Sequence, residues 1–182
     1  PENPMSRRID HTNLHIASDG SASCSTSVKF GGYFAYRYAE LLDATKPDKF
    51  VEEYFLKKLD LGFKLDTPSF HIDSSSLMTM TASYHLDNFA EKIDSNLILK
   101  PLRYYFRENP FKSDKRFFPI DFNYPFEYQN ILEISTDDSV LSQELPEPIS
   151  LEIPGASFTS NYMSDGLHIY AQVRLMVERP VF

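Results

Sequence analysis

Leu167, Ile169, Ala171, Val173, Leu175 and Val177 occupy every second position of one run, with His168, Tyr170, Gln172 and Arg174 between them. A period of two belongs to a strand with one face on a core; a helix would scatter these residues around its circumference. Ser164-Asp165-Gly166 precedes the run. Asp-Gly suits the left-handed positions of a tight turn, so Ala156 to Met163 and Leu167 to Val177 read as a hairpin. The same logic predicts a hairpin over residues 7–30. Ile9, Leu14 and Ile16 mark its first strand, Ser18-Asp19-Gly20-Ser21 the turn, and Ala22, Cys24, Thr26 and Val28 alternate with serines in the second.

Gly31-Gly32 breaks that strand, and the period changes. Phe34, Tyr38, Leu41 and Leu42 form a helical stripe, and Phe50, Val51, Tyr54, Phe55 and Leu59 form another. Thr45 suits the cap of the second helix, Pro47 and Asp48 its first turn, and Gly62 its end. Strands are predicted again over Phe63 to Ile72, Leu77 to Leu86, Asn96 to Leu99, Tyr128 to Ser135 and Ile149 to Ile153, with a proline-punctuated connector from Val140 to Pro148. Between them, Glu108 to Tyr128 holds three prolines and seven aromatics. Pro119 and Pro125 exclude a helix there and fit an extended segment at a sheet edge. The expected fold is therefore mainly β (α+β), an antiparallel, sandwich-like domain with a helical pair, about residues 33–59, on one side. Residues 1–182 read as one β-rich domain, the alternative being two subdomains divided near residue 100.

Composition narrows the functional classes. A net charge of −8 argues against nucleic acid, whose binding rests on neutralising phosphates. The short basic run Lys112, Lys115 and Arg116 beside Phe117 and Phe118 is interrupted by Asp114 and reads as a solvated loop. One cysteine, Cys24, forms no intramolecular disulfide and no Cys-based zinc cage. No window approaches the roughly 20 apolar residues of a membrane span, and no signal-peptide pattern is present. The closing Glu178-Arg179-Pro180-Val181-Phe182, straight after an apolar strand, predicts a chain cut from a longer polypeptide.

Cys24 is the single candidate thiol nucleophile, with His71 and Asp73 or His85 and Asp87 as the partners such chemistry requires. Activated thiols of that type sit at helix N-termini. Cys24 instead falls within an alternating strand, which makes it a core residue. His11 and His15 stand about 13 Å apart on a strand, too far for one metal at about 2 Å from each ligand. With His71, His85 and His168 they show no metal-ligand spacing, so only an assembly from several strands would make a site. Asp137 and Asp138 read as a solvated turn. Catalytic, cofactor and metal residues are accordingly assigned to no position.

The remaining pointer is a resemblance. Asn109-Pro110-Phe111-Lys112, Arg116-x-x-Pro119-Ile120-Asp121-Phe122, Tyr124-Pro125-Phe126, Glu144-Leu145-Pro146-Glu147-Pro148, Pro154-x-Ala156-x-Phe158 and Arg179-Pro180-Val181-Phe182 carry it. Together they resemble the C-terminal domain of unknown function that follows the papain-like core in transglutaminase-like envelope proteins of Gram-negative bacteria. The likeness is best over 107–182 and weaker over the helical pair and Gly31-Gly32-Tyr33. It implies a non-catalytic accessory domain, located in the periplasm or cell envelope, that packs on or positions the papain-like core of the same polypeptide or meets another envelope protein. The lack of any apolar window of spanning length, and not the resemblance, predicts no membrane insertion by this segment. The resemblance further implies an upstream core carrying the catalytic cysteine, a signal sequence before that, and an apolar helix after Phe182. The alternatives are a carbohydrate- or protein-binding β-sandwich module and an autonomous thiol hydrolase using Cys24.

Overall fold

Both Asp-Gly hairpins form. In a computed structural model that describes residues 5–72, 77–94, 96–99, 121–136, 144–179 and 181, strand β1 (Ser6–Ile16) turns at Gly20 into β2 (Ala22–Gly31). Gly20 has φ +88, and the Ala90 amide donates to its carbonyl. The chain then enters helix α1 (Tyr33–Asp43) through Gly32 at φ 62, where the buried Ser6 hydroxyl accepts the Tyr33 N–H. A side chain from the neighbouring strand thus satisfies one of the orphan donors of the helix N-terminus.

Helix α2 (Pro47–Val51) differs from expectation in two ways. Its cap is Lys46, because Pro47 itself takes the first position; Thr45 lies one residue earlier, its N–H bonded to Leu42 O. The helix then widens into a π turn over Glu52–Leu56 and tightens into a 3-10 turn over Lys57–Leu59. It ends on Asp60 at φ 57 and not on Gly62. Asp tolerates that left-handed geometry, whereas Gly62 gives room to the Asp87 side chain. Phe50, Val51, Leu56 and Leu59 are buried under this helix. A fully buried side chain of that size contributes about 1.5–3 kcal/mol over its exposed state.

The expected strand from Phe63 to Ile72 is two strands, β3 (Phe63–Leu65) and β4 (Ser69–Ile72), both against β5 (Met78–Leu86). Pro68 lies between them and has no N–H to continue the ladder. A strand the sequence reading did not anticipate, β6 (Glu91–Ile93), pairs with β7 (Asn96–Ile98) in a separate ribbon. The second half adds β8 (Phe126–Thr136), β9 (Ile149–Ile153), β10 (Ala156–Ser164) and β11 (His168–Val177). Residues 108–120 of the proline- and aromatic-rich stretch lie outside the described residues. Its end is extended: Asp121 bridges to Val181, and Phe126 to Tyr128 begin β8.

The described fold is mostly β, with nine strands in one sheet ordered β3-β5-β2-β1-β8-β11-β10-β9, β4 also lying on β5. Pairing is antiparallel except between β1 and β8, which run parallel from Ser6↔Phe126 to Ile16↔Thr136. This pair joins the strands before residue 100 to those after it. Nine strands in one hydrogen-bonded sheet and two in a ribbon do not establish the expected sandwich stacking. No described helix is long and apolar enough to cross a membrane.

Register assigns the two faces. The even-numbered residues of β1, β2, β5 and β8 face the helices, with Leu14, Ile16, Val28, Phe30, Met78, Met80, Leu132 and Ile134 almost fully buried. Phe30 meets Tyr38 at 4.6 Å between ring centroids, and Phe34 stacks on Tyr128 at 5.0 Å. Ile9, expected beside Leu14 and Ile16, has the opposite parity and is half-buried on the other, open face.

Candidate functional site

Strand parity separates the residues that thiol chemistry would need to bring together. Cys24 is 5% exposed on the helix-covered face, its Sγ 4.0 Å from the Ala22 carbonyl oxygen. His15 and His85 both stand opposite Ser23, on the other face of the sheet. His71 is exposed on β4, and Asp73 lies outside the described residues. His85 Nε2 is 3.9 Å from Asp87 Oδ1, both groups well exposed. The sheet therefore interposes its own thickness between the thiol and these imidazoles. Asp137, Asp138 and Lys112 to Phe118 also lie outside the described residues.

What the register does assemble was not visible in any local motif. His85, Ser23, His15, Ser135 and His168 stand opposite one another in turn across β5, β2, β1, β8 and β11, forming one row on the open face. At about 4.8 Å per strand, neighbouring histidines are about 10 Å apart, which no single metal ion spans. Among the described residues no group of three or more His, Cys, Asp or Glu side chains converges as a metal would require. The row borders a shallow trough of about 810 Å³. Ser135 Oγ lies 3.1 Å from His15 Nδ1 and 3.3 Å from the Leu14 carbonyl oxygen, to which it donates. At the row's end, Asp165 Oδ1 accepts the backbone N–H groups of His168 at 2.7 Å and Leu167 at 2.9 Å, which lowers the Asp165 carboxyl pKa below its usual range. At the opposite end of this face, the buried Glu127 bridges Arg7 at 3.1 Å and Arg174 at 2.6 Å.

The helix-covered face has a polar centre of its own. Arg8 makes two bonds to Asp10, Nε to Oδ1 at 2.8 Å and Nη2 to Oδ2 at 2.6 Å. The guanidinium lies 4.6 Å from the Phe55 ring centroid. Burial works against the Arg8 charge, but the charge and hydrogen bonds of Asp10 outweigh it, and the Arg8 pKa stands above its ordinary value. Next to the pair, Thr12 Oγ1, Thr26 Oγ1 and Tyr84 OH form a hydroxyl chain with spacings of 2.8 Å. Burial, with a smaller contribution from Tyr38, pushes the Tyr128 phenol up to about 12.

Both faces present hydrogen-bonding groups held in register. The chain matches no curated protein. Residues 95–182, which carry β7 to β11, match the family described as a Domain of Unknown Function with solved-structure structure (DUF3858).

Proposed function

We propose that this chain is a non-catalytic accessory domain of a transglutaminase-like envelope protein of Gram-negative bacteria, docking on the papain-like core of the same polypeptide. The observation that carries this reading is the uncovered apolar side of β9. Ile149, Leu151 and Ile153 are 43%, 60% and 61% exposed along one side of the edge strand, within the region that carries the resemblance. Three aligned aliphatic side chains left in water at a sheet edge mark a contact surface, because soluble domains rarely leave such stripes uncovered. Pro148 and Pro154 flank the strand in sequence and limit its extension by pairing, which favours face-on packing over strand addition. The sandwich-like stacking belongs to the same proposal, the second layer being laid over this side. A periplasmic or envelope location follows from the resemblance.

The test uses the full polypeptide and its parts. The purified chain should bind the papain-like core by calorimetry, and Leu151→Lys with Ile153→Lys should weaken that binding at least about tenfold, near 1.4 kcal/mol. Absence of a papain-like core from the parent reading frame would defeat the proposal. So would amide hydrolysis by this chain alone that is lost in Cys24→Ala.

A further inference from the structure

A cavity of about 300 Å³ between the π turn and the sheet is lined by two cations, Arg8 and Lys58, and only one of them is answered. Arg8 is held by Asp10 through two bonds and donates a third from Nη1 to the Tyr38 hydroxyl at 3.4 Å. Within residues 47–59 the other two lysines are paired, Lys49 with Glu52 and Lys57 with Glu53. Lys58 has no carboxylate partner among the described residues. Its surroundings are cationic instead. Partial burial, then the charges of Arg8 and Arg37, lower the Lys58 pKa, and no carboxylate acts against them. Carboxylates are not scarce in this chain, which carries 26 acidic side chains against 18 basic ones. A cation that borders a cavity beside two like charges loses hydration without compensation. An anion from outside the chain would supply it through a charge-assisted hydrogen bond.

The rest of the lining sets what carries that anion. Asp10 neutralises Arg8, so one positive charge of the lining is left over; a second negative charge on the occupant would face Asp10 without a partner. The floor asks for nothing further. Thr12 and Thr26 are bonded to each other and Thr26 to Tyr84, and Asn130 Oδ1 is enclosed, out of reach of the cavity. Around Lys58 the wall is largely carbon, with Val51, Phe55, Leu56 and Leu59 from the helical segment and Met80 and Leu175 from the sheet. Such a wall suits an apolar body. At about 30 Å³ per water-sized group, the volume holds roughly ten such groups, the size of a carboxylate on a phenyl ring or a short alkyl chain.

We propose that this cavity binds a small monocarboxylate with an apolar body, its carboxylate at the Lys58 ammonium and its body against Val51, Phe55 and Leu59. The site is separate from the β9 surface and stands or falls independently of docking on a papain-like core. The probes are benzoate and hexanoate, each titrated at constant ionic strength to about 10 mM, ten times a millimolar Kd. Benzamide and 1-hexanol are their neutral counterparts. Heteronuclear NMR of the full chain follows the Leu56, Leu59 and Met80 methyl groups and the Lys58 side-chain methylene next to the ammonium. At least one carboxylate should shift these signals saturably, and its neutral counterpart should bind at least about tenfold more weakly. Lys58→Met should weaken the response at least about tenfold, and Lys58→Arg should keep most of it. Lys58→Met removes a charge that only like charges surround, so its melting temperature should stay level or rise. If that variant does not fold, Lys58→Gln takes its place with the same expected loss. The proposal is overturned if neither carboxylate shifts the signals, if the neutral counterparts shift them equally, if inorganic phosphate gives the same response, or if the folded variant responds like the wild type.

Discussion

Replacing Asp10 by asparagine keeps the shape of the side chain and removes only its charge, leaving Arg8 buried and uncompensated. The two side chains are 17% and 10% exposed, so water recovers little of what is lost. With charge centres about 4 Å apart and an effective dielectric constant near 20, the Coulomb term is about 4 kcal/mol. The Asn carbonyl retains one of the two hydrogen bonds, and the contact with Phe55 is unaffected. The net cost should be about 3 kcal/mol, at the lower edge of the range for breaking a buried pair. Against a total stability of about 5–15 kcal/mol, that is a large loss. Urea unfolding followed by far-ultraviolet circular dichroism measures it by linear extrapolation. The double replacement Arg8→Met with Asp10→Leu should return most of it, ending within about 1 kcal/mol of wild type, because no charge is then left buried. The reasoning fails if Asp10→Asn costs less than about 1 kcal/mol, or if the double variant is no more stable than the single one.

Three other outcomes are expected. Gly20→Ala places a side chain at φ +88 against the Ala90 carbonyl oxygen, so it should cost more than about 2 kcal/mol in the same unfolding assay. Tyr128 has a folded pKa raised to about 12 by burial, so its contribution to stability is complete below pH 10 and is lost as pH rises toward 12. The loss is at most about 2.7 kcal/mol, and Tyr128→Phe should remove it, visible as a flatter stability profile than wild type above pH 10. Ser160 is fully buried with an unpartnered hydroxyl, so Ser160→Ala should leave the melting temperature unchanged or raise it, by up to about 1 kcal/mol of stability.

The sequence made the hairpins legible because Asp-Gly and period-two alternation are local and agree with each other. Parity was legible too: Ala22, Cys24, Thr26 and Val28 read as one inward face and are one. The parallel pairing of β1 with β8 left no local trace, since it joins segments separated by both helices and several strands. Every row across the sheet depends on it. The histidines were visible as residues, but the row His85–Ser23–His15–Ser135–His168 exists only once β1 lies between β2 and β8. The polar centre of the covered face did leave a mark. Along β8 the inward series runs Phe126, Tyr128, Asn130, Leu132, Ile134, and along β1 Asp10 and Thr12 precede Leu14 and Ile16. A polar residue at an inward position of an otherwise apolar series is the trace of this site. Only the register reveals that Asp10 and Asn130 fall side by side.

The irregular second helix follows from what lies beneath it. In unbroken α geometry, Val51, Tyr54, Phe55 and Lys58 would share one face, since helical neighbours recur at three and four residues. That face would press the Lys58 ammonium onto the sheet above Arg8, a like charge with no compensation for its lost hydration. The π turn inserts one residue between Val51 and the next inward position, so Leu56 and then Leu59 take the buried places while Lys58 remains exposed. Partial desolvation and the nearby charges of Arg8 and Arg37 still lower the Lys58 pKa, so the repulsion is reduced but present. A cavity lies between the π turn and the sheet, with Leu56 and aromatic rings on one side and Asp10, Thr12 and Asn130 on the other, where Asn130 Oδ1 lacks a hydrogen-bond partner among the described residues.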